Sequence, residues 1–555
     1  MEESVKLQDS VAMAGSKRED AVKLDDAVDA VDKPDAVQTS SKGTPEKKKV
    51  VLDLAKIPPE FRANGLSAVS MQLVQKMADV EDPPAQQRFS PLFVYQFFDE
   101  PYDREELEKM EKKAESNGET NGKAQEDMDA EEDSEEDGST NGDDSQNGTE
   151  GAVSNEDVDE GLIVGYKDLS VQLFFTPATL EPFLRVHYTA ALPPSERSTP
   201  DLLAAVEEIY GHKIITTPDA FQIALTKDHQ FKPIGTKLRT FTLSTKAGAA
   251  HNLELYEVGD TAREFGYPSR FGDILANIQP FLAWFIYGAS ILSTDDTRWL
   301  HYLLYEVNGD GVYSLVGYSS VYRYWMLPKK NGETSGAWKG EFSTRCRIAQ
   351  FIVVPPYQKK GFGARLLKGV IERLQEDPKT FDISVEDPDE AFVRLYNAVV
   401  SRLVKDYIQR KGINLDLASG VDASTVHSLS VGTKFPKKTL MLVLDVLACS
   451  QARTVGQEAT KKFYDIISKR TREKVKGQQR DLTRKMNRVA KGYYTFSEDE
   501  QDAERQMSTA GWTYNLNKEM DSVNNDLKPD KIKERLHETT KMVTHAAKRM
   551  DELDF

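Results

Sequence analysis

The 555-residue sequence predicts an α/β protein with a helical C-terminal part. Three observations predict it. Short runs with strand-type alternation recur between residues 162 and 354. A strand, a glycine-spaced turn and a helical pattern follow one another over 347–375, and a further strand, FDISV at 381–385, comes straight after. From residue 388 onward most of the chain carries helical periodicity. The length suits about three domains at roughly 150 residues each.

Taken in order, residues 1–46 are polar and lack lasting periodicity, which predicts a disordered tail. Lys47, Lys48 and Lys49 match part of a nuclear import signal, and equally a solvated basic patch. Residues 50–98 turn aromatic and apolar, ending in RFSPLFVYQFFDE. Residues 99–160 then hold 25 Asp and Glu against 5 Lys and Arg, a net of −20. The whole chain carries −18, which leaves about +2 for everything else, so the folded part is nearly neutral. Nothing in the acidic stretch buries enough apolar surface to offset the entropy of ordering it. Because order resumes at GLIVGYKDLSVQLFF, the stretch is expected to be an insertion inside one domain, which costs little closure entropy. It serves either to capture a basic partner or as a spacer.

Alternation from Leu169 to Phe175, and the run FLRVHYTAAL, predict strands. DLLAAVEEIYG at 201–211 predicts a helix capped at or near Asp201. TKLRTFTLSTKAGAAHNLELYEV predicts a hairpin turning around Lys246–Ala249. The mostly apolar 272–290 predicts one or two buried helices, and WLHYLLYEV, SLVGYSSVYRYWML and RIAQFIVV three more strands. A long helix is expected over 388–411, then mostly helix over 440–555, strongly basic from Lys461 to Lys491. The resulting division is a tail (1–46), an N-terminal α/β domain (47–229), a central α/β core (230–411) and a C-terminal helical region (412–555).

Two cysteines, Cys346 and Cys449, exclude a disulfide scaffold and a zinc site of several thiolates. No run of about 18 apolar residues exists to cross a membrane, and the N-terminus has no apolar signal core. Cytoplasm and nucleus are the expected compartments, with no metal and no membrane partner.

The chemistry centres on FIVVPPYQKKGFGARLLKGVIERLQ, residues 351–375. The strand ends at Pro355–Pro356, the turn runs from Gln358 to Ala364, and a helix follows. A helix N-terminus offers unpaired N–H groups and the positive end of the dipole, so it favours phosphate. Gly361 and Gly363 let backbone approach closely, and Gln358, Lys359 and Lys360 add donors and charge. The turn lacks the Gly-Lys-Ser/Thr ending of a Walker loop. It lacks the third glycine of a dinucleotide fold too, since Leu366 stands there. A diphosphate of another kind fits; an ordinary glycine turn is the plain alternative.

The next strand runs into Glu386-Asp387-Pro388-Asp389-Glu390. Pro388 suits the first helical position, which makes Asp387 the expected N-cap and Glu390 the third residue of a capping box. Glu386 has no such local use. At a strand end beside the proposed loop it is a candidate general base for an amine, whose proton must leave before attack.

QxxGxG between a strand and a helix resembles the acetyl-coenzyme A loop of the Gcn5-related acetyltransferases (GNAT). QFIVVPPYQKKGFGARLL followed by DISVEDPDEAF resembles the type B histone acetyltransferase catalytic subunit. FKPIGTKLRTFTL, FLAWFIYGAS, DDTRW, GYSSVYRYWMLP, FSPLFVYQFF and GYKDLSVQLFF continue the likeness over roughly 50–98 and 160–410. The resemblance implies a GNAT core around a mixed, mostly antiparallel sheet, with a smaller α/β domain before it and helices after it. It implies transfer of acetyl from acetyl-coenzyme A to lysines in the N-terminal tail of free histone H4, by direct attack. Phe351, Ile352 and Val353 would hold the pantetheine arm through their backbone. Gln358, Lys359, Lys360, Gly361, Phe362, Gly363 and Ala364 would cradle the pyrophosphate, and Asp389 would touch the cofactor. Glu386 would be the base, assisted by Asp387. Tyr322, Arg323 and Tyr324, with Asp159 and Glu160, would contact the tail. The implied partners are histone H4 with H3 and a WD-repeat histone-binding subunit, without direct DNA binding. Two departures stand out: Tyr287 occupies a position where the family can carry an acidic residue, and the acidic insertion interrupts the region of the second tail contact. The rival readings are a GNAT enzyme acting on a small amine and a non-catalytic acidic histone-binding protein.

Overall fold

The computed structural model describes residues 56–82, 84, 87–99, 161–244, 250–259, 268–292, 296–326, 343–415, 421–490 and 528–554, with a few isolated positions besides. All of them lie in one compact unit, Val50–Phe555. The N-terminal tail, the acidic stretch beyond Asp99 and the expected hairpin turn at Lys246–Ala249 lie outside the described residues.

Two sheets carry the fold. The first holds β1 (Val69–Leu73), β2 (Arg88–Phe89), β3 (Ser170–Phe175) and β4 (Pro182–His187) in the order β2-β1-β3-β4, with β1 and β3 parallel. Here β1, from before the acidic stretch, pairs with β3, from after it, so the two flanks of that stretch build one sheet. Helix α1 (Leu202–Tyr210) follows; Asp201 accepts from Ala204 N, and Gly211 at φ 68° ends it. Helix α2 (Pro218–His229) is tied down by the buried Asp228, which accepts from the backbone of Ala178 and Thr179, both at 2.9 Å. Burial pushes that carboxyl up, and the hydrogen bonds from Thr179 and Ala178 pull the other way.

The second sheet has six strands in the order β10-β9-β8-β7-β6-β5. In chain order these are β5 (Thr236–Ser244), β6 (Ala250–Val258), then helix α3 (Pro268–Ala283), β7 (Trp299–Val307), β8 (Tyr313–Met326) and β9 (Ser343–Val353). Helix α4 (Phe362–Glu376), strand β10 (Thr380–Val385) and helix α5 (Glu390–Lys411) complete it. Every pairing is antiparallel except β9 with β10. Among the described residues four more helices follow: α6 (Ala423–Thr433), α7 (Lys437–Val455), α8 (Gln457–Ala490) and α9 (Pro529–Glu552).

Each face of this sheet has its own core. One buries Tyr305, Tyr318 and Ile352 with Phe281 and Trp284 from α3 and its C-terminal turn, and with Leu173 and Phe175 of the first sheet. The other buries Cys346, Ile348 and Ile383 under Leu366 and Val370 of α4, Val400 of α5, Leu440 of α7 and Ala546 of α9. The first core runs across the sequence position 229/230, and the second across 411/412. Along α4 the large apolar side chains that are buried are Phe362, Leu366, Leu367, Val370, Ile371 and Leu374, a helical stripe. Each such side chain stabilises by about 1.5–3 kcal/mol when buried, which fixes the first turn of α4 against the sheet.

A bulge in β9 is the decisive irregularity. Ser320 of β8 faces Gln350, but Val321 faces Ile348, so Ala349 is an extra residue. The alternation slips by one there. Cys346 and Ile348 face the α4 side, while Ile352 and Val354 face the α3 side. The even-numbered residues therefore change faces halfway along one strand.

One local expectation is corrected. The N-cap of α5 is Asp389, whose carboxylate accepts from Phe392 N at 2.6 Å, and not Asp387. Asp387 sits at φ 27°, in the turn that redirects the chain, so the helix begins two residues later than Pro388 suggests.

Candidate active site

The site forms where β9 and β10 part. Their parallel ladder runs from Thr344/Thr380 to Ile348/Val385 and stops. Glu386 N donates to Ile348 O at 2.9 Å, the last bond of the fork. Past it, Phe351, Ile352 and Val353 stay paired with Ser319, Tyr318 and Gly317 of β8 but have no partner on β10. One backbone edge is thus free of strand pairing, and an extended chain carrying amides can take its place.

The open edge leads directly to the start of α4. Pro355–Tyr357 make one 3-10 turn, Lys359 adopts φ 61° and Gly361 φ 87°. Gly361 is the N-cap, and no side chain caps the helix. The first N–H groups of α4 therefore point out of the helix without an internal acceptor, as an anion site requires. Gln358 donates to Val353 O at 2.9 Å, and Lys360 donates to Pro356 O at 2.8 Å, bracing the turn. Phe362 and Ala364 are buried and offer backbone only. A Cβ on Gly363 would lie 3.2 Å from Val353 Cγ2 and 3.3 Å from Leu395 Cδ2, so the glycine lets α4 sit tight against β9 and α5. The residues present fit acetyl-coenzyme A: a free strand edge for the amide-bearing arm and an uncapped helix start for the diphosphate.

Glu386 is exposed at the mouth of the fork, and its Oε1 accepts from Arg347 Nη1 at 3.3 Å. The Arg347 guanidinium also lies over the Tyr324 ring at 4.6 Å. Tyr324 packs edge-on to Tyr322 at 4.7 Å, and Tyr322 to Trp299 at 4.7 Å, with Arg298 over Tyr322 at 4.9 Å. Burial pushes the Tyr322 hydroxyl up, the Asp296 charge adds to this, and Arg298 opposes it. A partly exposed strip of aromatic rings and guanidinium groups thus leads to Glu386. Arg323 is turned elsewhere: its side chain donates to Thr297 O at 2.5 Å and Arg298 O at 3.3 Å, holding β8 to the segment before β7. Asp387 is exposed beside Glu386, and Asp389 is engaged in its cap. Asp159 and Glu160 lie outside the described residues. Tyr287 is 73% exposed, close to the rings of Phe93 and Tyr95.

Cys346 is fully buried on the α4 side, and burial pushes its thiol up, so it stays protonated and out of reach of the fork. Among the described residues no group of three or more His, Cys, Asp or Glu is placed to hold a metal ion, and no helix is long and apolar enough to cross a membrane. Residue-by-residue reading missed Arg347, Trp299 and a buried glutamine pair, Gln279 with Gln350. Gln350 left a trace, as the one amide in the apolar run IAQFIVV.

Two family models match the chain. Residues 273–399 match the acetyltransferase (GNAT) family, and residues 158–287 match the N-terminus of the histone acetyl transferase HAT1. Residues 273–399 thus carry an acetyltransferase domain of the GNAT family, whose members use acetyl-coenzyme A. Over 60% of its length the chain is similar to proteins named histone acetyltransferase type B catalytic subunit. The human protein of that name is 28% identical over 60% of this chain and 78% of its own length. The fission yeast protein, from Schizosaccharomyces pombe, is 29% identical over 42% of this chain and 54% of its own. A solved aminoglycoside acetyltransferase from a soil metagenome shares 13% identity over 26% of this chain and 86% of its own, with a TM-score of 0.19.

Proposed function

We propose that this protein acetylates lysines in the N-terminal tail of free histone H4, with Glu386 as the general base. The fork carries the reading: the β9–β10 ladder ends at Ile348/Val385, and Glu386 stands at that point beside the open edge. The edge of Phe351–Val353 and the turn Gln358–Ala364 hold acetyl-coenzyme A, whose thioester supplies the acetyl group. A lysine ammonium, with an ordinary pKa near 10.4, has to lose a proton before it attacks. The Glu386 carboxylate takes that proton, directly or through one water. The freed amine bonds to the thioester carbonyl carbon, the carbon–sulfur bond breaks, and the leaving thiolate takes up the second proton that the amine nitrogen loses as it becomes an amide. The strip Trp299, Tyr322, Tyr324 and Arg347 flanks the approach to Glu386. Exposed aromatic faces there suit the alkyl stem and charge of a lysine. Histone H3, a WD-repeat histone-binding subunit and residence in cytoplasm and nucleus belong to the same reading, and the names of the relatives support its histone part.

The test is mass spectrometry of histones H3 and H4 after incubation with the protein and acetyl-coenzyme A. Acetylation concentrated in the H4 tail is expected. Equal modification of any small amine, with no preference for the histone, would replace the reading by a small-amine acetyltransferase.

A further inference from the structure

Two glutamines that approach each other across the α3 face of the sheet form a closed amide pair. Gln279 on α3 is 2% exposed and Gln350 on β9 is 6% exposed. Gln279 Nε2 donates to Gln350 Oε1 at 3.0 Å, and Gln350 Nε2 donates to Gln279 Oε1 at 3.2 Å. The remaining capacity of both amides is also used. Gln279 Nε2 donates to the Tyr318 hydroxyl at 3.1 Å, and Gln279 Oε1 accepts from Leu292 N at 3.2 Å. Gln350 Nε2 donates to Ser290 O at 2.9 Å, and Gln350 Oε1 accepts from Ser320 Oγ at 3.2 Å. Tyr318 in turn meets His301 Nδ1 at 2.8 Å. Two donors and two acceptors on each amide are therefore all satisfied.

An apolar pair of the same volume would hold α3 to β9 as well, because a satisfied buried amide adds little net stability. What the amides add is position. Gln350 directly follows the bulge residue Ala349 and directly precedes Phe351, where the open edge begins. Its other bond reaches the carbonyl of Ser290, in the irregular segment after α3, and Gln279 takes up the N–H of Leu292 in that segment. Tyr287, Gly288, Ser290 and Ile291 of the segment are exposed, Ile291 by 59%. So one buried pair ties the strand that opens the cofactor edge to an exposed segment bordering it.

We infer that Gln279 and Gln350 are positioning residues for the acceptor: they clamp residues 290–292 beside the open edge of β9, so that this segment forms one wall of the acceptor channel. The kinetic part of this inference rests on the histone-acetyltransferase reading; the clamp itself does not.

The full-length protein tests both parts. Amide exchange is followed at Leu292, held by Gln279, with Gly288 as internal control, since its N–H is held by Gln96 instead. In Gln350→Leu and Gln279→Leu, exchange at Leu292 should accelerate tenfold or more, as expected when a bond of about 1.4 kcal/mol is lost, with Gly288 unchanged. KM for an H4 tail peptide should rise by about tenfold, while kcat and acetyl-coenzyme A affinity change less than about threefold, the signature of lost uniform binding. The double variant should be no worse than Gln350→Leu alone, because the pair acts as a unit. Ser320→Ala, which removes one donor and keeps the pair, should show the same pattern weakly, and it carries the test if the leucine variants do not fold. Unchanged exchange at Leu292 would overturn the clamp. Faster exchange with an unchanged KM would overturn the positioning role. If the wild-type protein acetylates no histone at all, the function reading fails while the exchange result still decides the clamp.

Discussion

Helices α4 and α5 start on opposite sides of the same fork and treat their first N–H groups differently. At α5 the Asp389 carboxylate accepts from Phe392 N, so the helix satisfies itself. At α4 the N-cap is Gly361 at φ 87°, and no side chain caps it. Asp201 and Asp422 cap α1 and α6 in the same way as Asp389. A carboxylate cap fills the place where an anion would bind and matches the helix dipole. On the proposed function, the uncapped start of α4 is the place for a phosphate. The contrast sets a start that closes on itself beside one that the proposed function assigns to a ligand. Helices α2, α7 and α9 also lack a side-chain cap, so the assignment rests on the glycine turn and the open strand edge beside it.

The largest break of the contrast comes from placing a carboxylate at the open start. Gly363→Glu should lower acetyl-coenzyme A affinity by about a hundredfold or more, since unlike the α5 cap the new charge faces a diphosphate; like charges near 4 Å at a protein surface repel by several kcal/mol. Gly363→Ala measures the packing cost alone, because its Cβ meets Val353 and Leu395. Titrating both variants with acetyl-coenzyme A decides the matter, and equal affinities for the two would remove the diphosphate from this turn.

Between the two helix starts stands Glu386. Glu386→Gln should reduce turnover by around 10²-fold at neutral pH, the size expected for loss of a general base, with acetyl-coenzyme A affinity near normal. Turnover like the wild type across the pH profile would move the base to another residue.

Asp389→Ala tests the closed start. It should cost about 1 kcal/mol of stability, as for loss of an N-cap, seen as a lower denaturation midpoint. Acetyl-coenzyme A affinity should change little. A large loss of affinity at unchanged stability would make Asp389 a cofactor ligand.

The smallest effect is a pH dependence at α6. Hydrogen bonds from Ser424 and Thr425 hold the Asp422 carboxyl well below the usual carboxylate range. Its folded value being depressed, the cap is fully present above the unfolded value of about 3.9 and is lost as pH falls through the lower folded value. The amide resonance of Thr425 should therefore titrate in strong acid, and Asp422→Asn should abolish that titration. A resonance moving near pH 4 in the wild type would mean the cap is not held.

Much of the site was legible because its signals are local. QKKGFG between an apolar run and a helical stripe places the turn, since glycine conformations and helix ends depend on near neighbours. The N-cap of α5 was misplaced by two residues for a local reason too: Pro388 invites a helix, and only the turn at Asp387, with its positive φ, delays it. Tyr322 and Tyr324 were legible as candidates, but Arg323, between them, turns to the backbone before β7. Nothing in its neighbours announces that.

The sequence by itself determined most strands and helices from Ser170 onward, the glycine turn, and the carboxylate at the strand end, all set by alternation and turn chemistry within a few residues. The strand Val69–Leu73 and the helix Pro218–His229 were not read from it. The tertiary structure alone decided where β9 and β10 part, because the bulge at Ala349 exists only in the register between two strands. It alone joined Arg347 to Glu386, 39 residues apart, and Gln279 to Gln350, 71 apart. Side chains that far apart in the chain meet only when packing fixes both elements, and no local pattern records which pairs will do so.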